Sequence, residues 1–150
     1  TMELFKVAAT HQIPVYCLGA APGVAQRAID NVSAQVGALN IAGIHDGFFD
    51  SAEEQEIIKS IAESKAKLVF VALGVPKQEQ WISEKLSHLD GVVAIGIGGS
   101  FDVLAGNIPR APEWMQQNRL EWLYRLYLEP QRIGRMLAIP KFMWTVIRNK

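Results

Sequence analysis

Two stretches of this 150-residue sequence concentrate side chains able to do chemistry on phosphates and sugars. The first, GVPKQEQW at 74–81, sets Gly74, Lys77 and Gln78 at a proline-opened helix start. An ammonium group can neutralise a diphosphate, and a carboxamide can both donate to and accept from a sugar or diphosphate. The second, GIGGSFD at 96–102, follows an apolar run and carries Gly98, Gly99, Ser100 and Asp102. Glycines spaced this way let something press close to the backbone. A carboxylate just beyond them can accept hydrogen bonds from ribose hydroxyls. A third set, Arg125, Arg132 and Arg135, lies towards the carboxyl end. Guanidinium groups grip diphosphates bidentately, and a diphosphate leaving without a metal clamp needs such cations. Arg125 and Arg132 would share one face of a continuous helix, although Pro130 between them argues for a kink.

Each residue has a plainer role beside that one. Lys77 and Gln78 are ordinary solvated residues of a first helical turn, and Asp102 can cap the turn that follows it. The arginines can form a basic face resting on an anionic membrane.

Several familiar chemistries find no support. A dinucleotide fingerprint needs G-x-G-x-x-G after the first strand, whereas Gly96-Ile97-Gly98-Gly99-Ser100-Phe101 lacks the last glycine and follows the last apolar run. No Gly-Lys pair supports a phosphate-binding P-loop, and no G-x-S-x-G supports a nucleophile elbow. His11, His45 and His88 are scattered, and the single cysteine, Cys17, gives no zinc-site spacing. No two aspartates stand two apart, so an Asp-x-Asp metal clamp is missing. Neither a metal nor a resident cofactor is expected.

The elements that must position these residues are four short apolar runs, at 15–18, 40–44, 68–73 and 92–97. They are rich in Val and Ile without strict alternation, as buried parallel strands are. Helical patterns separate them. One opens at Pro22 with Val24, Ala28, Val32 and Val36 on one face; Ser51 and Glu54 read as a capping box ahead of Ile57, Ile58 and Ile61; Pro76 opens a third with Trp81, Ile82 and Leu86. Alternating strand and helix predicts an α/β fold, an open parallel Rossmann-like sheet with flanking helices. In such sheets ligands bind outside the carboxyl ends of the strands. Each run here exits into a glycine-bearing loop: GAAPG at 19–23, HDGFFDS at 45–51, and the two stretches above.

Composition bounds the partners. Lys and Arg number 15 against 15 Asp and Glu, so nothing favours nucleic acid. One cysteine suits a reducing cytoplasm. The balance hides an asymmetry: 119–150 carries seven basic residues and two acidic ones, interleaved with aromatic residues, leucine and methionine. That shift divides the chain into an α/β domain, 1–118, and a basic amphipathic helical tail, 119–150, broken at Pro130 and Pro140. Such a tail suits an anionic membrane surface.

The blocks VALGVPKQEQWI (71–82) and IGIGGSFDVLAGNIPRAPEWMQQNRLEWLYRLYLEPQRIGRM (95–136), with LGAAPGVA and HDGFF before them, closely resemble the WecG/TagA/CpsF glycosyltransferases. The resemblance implies metal-independent, inverting transfer of an N-acetylmannosamine-type sugar from a UDP donor to an undecaprenyl-diphosphate-linked acceptor. Products of such enzymes are wall teichoic acid linkage units, enterobacterial common antigen and other surface polysaccharides. The resemblance puts Phe48 against uracil, unless it joins Phe49 in the core. It sets Asp102 against the UDP moiety, with Gly74, Lys77, Gly98, Gly99 and Ser100 around the donor. Gln78, beside the donor, is a catalytic candidate together with Arg125, Arg132 and Arg135, which in the family fold over the active site. Glu79 and Trp81 read as local support and core.

Family members carry a further segment ahead of the point where this chain begins, holding the aspartate proposed as general base. The expectation is therefore a carboxyl-terminal portion that holds the donor side, peripheral on the inner, cytoplasmic face of a bacterial plasma membrane. A homo-oligomer is left open. The alternatives are a non-catalytic nucleotide-binding module that needs a partner segment and, more weakly, a Rossmann oxidoreductase.

Overall fold

The computed structural model describes residues 1–108 and, beyond them, Pro112, Met115, Gln117, Asn118, Leu120, Leu123, Tyr124 and Tyr127. The chain forms two compact units, Thr1–Pro109 and Arg110–Lys150.

In the first unit the elements run α1 (Met2–His11), β1 (Val15–Gly19), α2 (Val24–Val36), β2 (Ile41–His45), α3 (Ser51–Glu63), β3 (Leu68–Ala72), α4 (Lys77–Trp81), a π-helical turn (Ile82–Leu86), β4 (Val93–Gly96) and α5 (Ser100–Leu104). The four strands form one parallel sheet in the order β2-β1-β3-β4. The open parallel sheet expected from the apolar runs is thus present.

Side-chain alternation along the central strands builds two cores. Val15 and Cys17 of β1 join Phe70 of β3 on one face, against Phe5 of α1, Val24, Ala28 and Val32 of α2, and Phe101 of α5. Tyr16, Leu18, Val69 and Val71 face the other way, onto Ile57 and Ile61 of α3 and onto Trp81 and Leu86. Neighbouring residues both need to be apolar when both faces are covered, hence runs rather than alternation. The Phe5 and Phe70 rings lie 4.5 Å apart, and burying each such side chain contributes about 2–3 kcal/mol.

Three expectations about local structure are corrected. Every residue of β1 and β3 is buried, but β2 is only half-buried and β4 exposes Val93 and Gly96. Those two strands are the sheet's edges, so each has one strand neighbour and less cover. Helix α2 begins after Gly23, not at Pro22, because Ala21 to Val24 forms a turn closed by Val24 N–H on the Ala21 carbonyl at 3.0 Å. Helix α3 is capped one residue earlier than read: Asp50 accepts from the Ala52 and Glu53 amides, and Glu53 returns a bond to the Asp50 amide. Those amide bonds hold the Asp50 carboxyl below its ordinary range. Cys17 is buried, which pushes its thiol up to about 12 and leaves it inert.

In the second unit, Met115 N–H donates to the Pro112 carbonyl at 2.9 Å and Tyr124 N–H to the Leu120 carbonyl at 3.2 Å. Leu123 and Tyr127 are exposed. The sequence-based boundary after residue 118 falls within this unit, and most of the tail, with Arg125, Arg132 and Arg135, lies outside the described residues. Among the described residues no helix is long and apolar enough to cross a membrane.

Candidate functional site

Parallel strands bring all four exits to one edge of the sheet, and backbone hydrogen bonds stitch them into a shelf. Ala20 N–H donates to the Ala72 carbonyl (3.1 Å), Gly47 N–H to the Ala20 carbonyl (2.8 Å), and Ile97 N–H to the Val71 carbonyl (2.8 Å). The shelf explains several glycines without any ligand. A Cβ on Gly19 would stand 2.5 Å from the Ala72 carbonyl oxygen, and one on Gly47 would stand 3.2 Å from the Ala20 nitrogen. Gly98 differs. Its φ of 52° is left-handed, yet a Cβ there would meet nothing within 4 Å. No described residue fills the space at that position.

Beneath the turn sits Gln78, which is 3% exposed and the one buried polar residue among those described. Its Oε1 accepts from Gly98 N–H at 2.9 Å, and its Nε2 donates to Glu79 Oε1 at 2.8 Å. Gly96 makes room for this amide, since a Cβ there would stand 2.5 Å from Nε2. Gln78 is therefore not the solvated first-turn residue of the plainer reading. Gly74, with φ 79°, accepts the Gln78 backbone N–H at 2.9 Å and closes the turn from β3 into α4.

The β2 exit separates its two phenylalanines. Phe48 is 73% exposed, while its backbone N–H donates to Asp46 Oδ1 at 2.8 Å. Phe49 turns inward, edge-on to His45 and Trp81, with the Lys77 ammonium 5.5 Å from its ring centre. Trp81 Nε1 donates to Glu54 (2.8 Å), and Lys85 pairs with the same carboxylate at 3.0 Å. The Lys85 hydrogen bond, then the Trp81 bond and nearby Lys85 and Lys77 charges, hold the Glu54 carboxyl below its ordinary range against the opposing effect of burial. This cluster anchors the β2 and β3 exits against α3.

At the β4 exit Gly99 precedes α5, and the Ser100 hydroxyl donates to the Ile97 carbonyl at 2.6 Å, which commits its proton to the loop. The half-buried Asp102 carboxylate receives Asn107 Nδ2 at 3.5 Å, and Asn107 Oδ1 receives Arg27 Nη2 at 3.4 Å. The distance to Asn107 is long, so the carboxylate keeps capacity for a further donor. Sequence reading missed Arg27. Its one signal was a cation in the opening turns of a helix whose first turn holds no acid.

A cleft of about 260 Å³ opens between the β1 and β2 exits, lined by Ala21, Gly23, Ala25, Gln26, Ile44, His45 and Asp46. The His45 Nδ1 lies 3.0 Å from the Asp46 carbonyl, which can only accept, so that nitrogen carries a proton. A larger hollow of about 510 Å³ lies between Ala42 and Glu56, Lys59, Ser60 and Glu63 of α3 with its C-cap Ser64. It sits away from the strand exits on a polar helix face. Among the described residues no cluster of His, Cys, Asp or Glu could hold a metal ion.

The structure thus places Phe48, Gly74, Lys77, Gln78, Gly98, Gly99, Ser100 and Asp102 at one edge of a single sheet, with Gln78 under the surface and Phe48 on it. An open parallel α/β sheet with glycine-rich exits is the architecture of nucleotide-handling proteins. The chain belongs to the WecG/TagA/CpsF family of glycosyl transferases, whose family model matches residues 1–150. It is 40% identical over 148 residues to the N-acetylglucosaminyldiphosphoundecaprenol N-acetyl-beta-D-mannosaminyltransferase of Bacillus subtilis, covering 99% of this chain and 57% of that protein. Proteins of the same name from Bacillus spizizenii and Staphylococcus aureus are 40% and 34% identical, over 91% and 99% of this chain and 52% and 58% of theirs. The chain spans a little over half the length of these relatives.

Proposed function

We propose that this chain forms the donor-binding part of an inverting glycosyltransferase. The reaction would move an N-acetylmannosamine-type sugar from UDP to an undecaprenyl-diphosphate-linked acceptor, in wall teichoic acid or related surface-polysaccharide synthesis. The observation that carries this is the shelf of four strand exits, with an exposed ring, Phe48, and a carboxylate with spare capacity, Asp102, in a chain of this family. The name of the relatives' activity supports the sugar and the lipid-linked acceptor.

In this reading Phe48 stacks on uracil, and Asp102 accepts from ribose hydroxyls beside the room at Gly98. Lys77, Arg125, Arg132 and Arg135 neutralise the departing diphosphate, so that no metal is needed. Inversion requires one in-line displacement, with a base that takes the acceptor hydroxyl proton as UDP leaves. The lipid acceptor keeps the enzyme on the inner face of the plasma membrane. Calorimetry with UDP tests the reading: micromolar binding that Asp102→Ala weakens is expected, and equal affinity of the two proteins removes Asp102 from the site.

A second reading is a nucleotide-binding module that works only with a partner segment, favoured by the structural duties of the acids at the β2 exit, where Asp50 caps α3 and Asp46 holds the Phe48 amide. UDP binding that persists without turnover after such a segment is supplied would select it.

A further inference from the structure

A buried carboxamide can face either way, and its partners decide which. Gly98 N–H can only donate, so it requires the Gln78 oxygen, 2.9 Å away. An ionised Glu79 can only accept, so it requires the Gln78 nitrogen, 2.8 Å away. The two demands agree, and together they permit one orientation. Gly98 leads through Gly99 into α5 and Asp102. The sheet register sets Val71 beside Gly96, which brings α4 under this turn and lets the link span 20 residues of sequence. Glu79 itself is exposed and is in no ion pair with a described residue.

We propose that Glu79 is a positioning residue: its carboxylate fixes the orientation of the buried Gln78 amide and, through it, the Gly98 turn that presents Asp102 to the nucleotide. The proposal rests on the donor-site reading for its ligand but on geometry alone for the link. If Glu79 lets go, the amide can turn, the Gly98 amide loses its acceptor, and the turn is no longer held.

The test uses the 150-residue chain and four variants, followed by Gly98 amide exchange and by UDP calorimetry. Glu79→Gln keeps an acceptor for Gln78 and should stay within about twofold of the parent, whereas Glu79→Leu should speed Gly98 exchange and weaken UDP by about tenfold. Gln78→Glu keeps an acceptor for Gly98 but sets two carboxylates side by side, so their repulsion should displace the buried group, speed Gly98 exchange and weaken UDP. The exchanged pair Q78E/E79Q restores the link with its polarity reversed, because the carboxylate accepts from Gly98 and from the new amide, so both readouts should recover. Thermal melts check that every variant is folded. Unchanged Gly98 exchange in Glu79→Leu, or an exchanged pair no better than Gln78→Glu, overturns the proposal. If no protein binds UDP but Gly98 exchange follows the expected pattern, the link is upheld and the nucleotide reading fails.

Discussion

Phe48 and Phe49 are consecutive residues that face opposite ways: one is 73% exposed at the β2 exit, and the other packs edge-on between His45 and Trp81. The divergence follows from the Asp46 side chain, which takes the Phe48 amide and turns the chain just before α3. An exposed ring beside a cleft adds little to folding and can stack on a flat base.

Phe48→Ala should leave stability within about 0.5 kcal/mol of the parent and weaken UDP about tenfold, as loss of one base–aromatic stack does. Phe49→Ala should do the reverse, costing about 2–3 kcal/mol in urea unfolding, somewhat under the range for fully buried phenylalanines because this ring is half-buried. Equal UDP affinity for Phe48→Ala and the parent would take uracil away from this ring.

The glycines divide in the same way. Gly43 and Gly96 lack positive φ but have no room for a side chain: a Cβ would enter the Tyr16 ring at Gly43 and meet the Gln78 amide at Gly96. Alanine at either should cost about 1–3 kcal/mol by overpacking. Gly98→Ala meets no atom but must hold a left-handed φ, a penalty of about 1 kcal/mol. Its larger effect should fall on UDP affinity, since its methyl group would occupy the space proposed for nucleotide. Urea titration and calorimetry on the three variants separate packing from ligand space.

Glu54 should give the fold an acid-sensitive increment. Its folded pKa lies below the ordinary glutamate value of 4.5, so its stabilisation is fully present above that value and fades as pH falls towards the folded pKa. Glu54→Gln should therefore cost about 1 kcal/mol at neutral pH, given a partly exposed pair and one indole bond. That difference should shrink below about pH 4. Melting curves of both proteins from neutral to acid pH check it; a gap that widens in acid contradicts the sign.

Transfer by the chain alone should be absent, even with UDP-N-acetylmannosamine and a lipid-linked acceptor. The nearby acids have other duties: Asp50 caps α3, and Asp46 holds the Phe48 amide. Turnover by the purified 150 residues, measured as UDP release coupled to lipid glycosylation, would require a base among Asp46, Asp50 and Asp102.

Strand positions were legible because apolar runs such as 68–73 satisfy two cores at once. Sheet order was not: nothing in 92–97 says that it forms an edge with Val93 exposed. The cap of α3 was misread because Asp50 and Ser51 are both good caps, each with a glutamate three residues on, and only the backbone geometry chooses Asp50. The glycine loops announced where a site lies. The Gln78–Gly98 and Arg27–Asn107 contacts did not, because they depend on strand register and on helices meeting across 20 and 80 residues of sequence.

The tail carries the last prediction. Residues 119–150 hold seven basic side chains and two acidic ones, set among tryptophan, tyrosine, leucine and methionine. Leu123 and Tyr127 are exposed, as side chains meeting a lipid interface would be. Each basic residue near an anionic surface adds on the order of 1 kcal/mol, so a surplus of five is ample for reversible attachment. The competing account packs these aromatic residues as ordinary core and leaves the arginines to the diphosphate. Sedimentation with phosphatidylglycerol vesicles separates the two. Attachment should be strong at low salt, should fall steeply by about 0.5 M salt as screening shortens, and should drop when Arg125, Arg132 and Arg135 are changed to glutamine. Neutral vesicles should bind far less. A chain that ignores anionic vesicles at low salt has no interfacial tail, and its arginines then belong to the diphosphate alone.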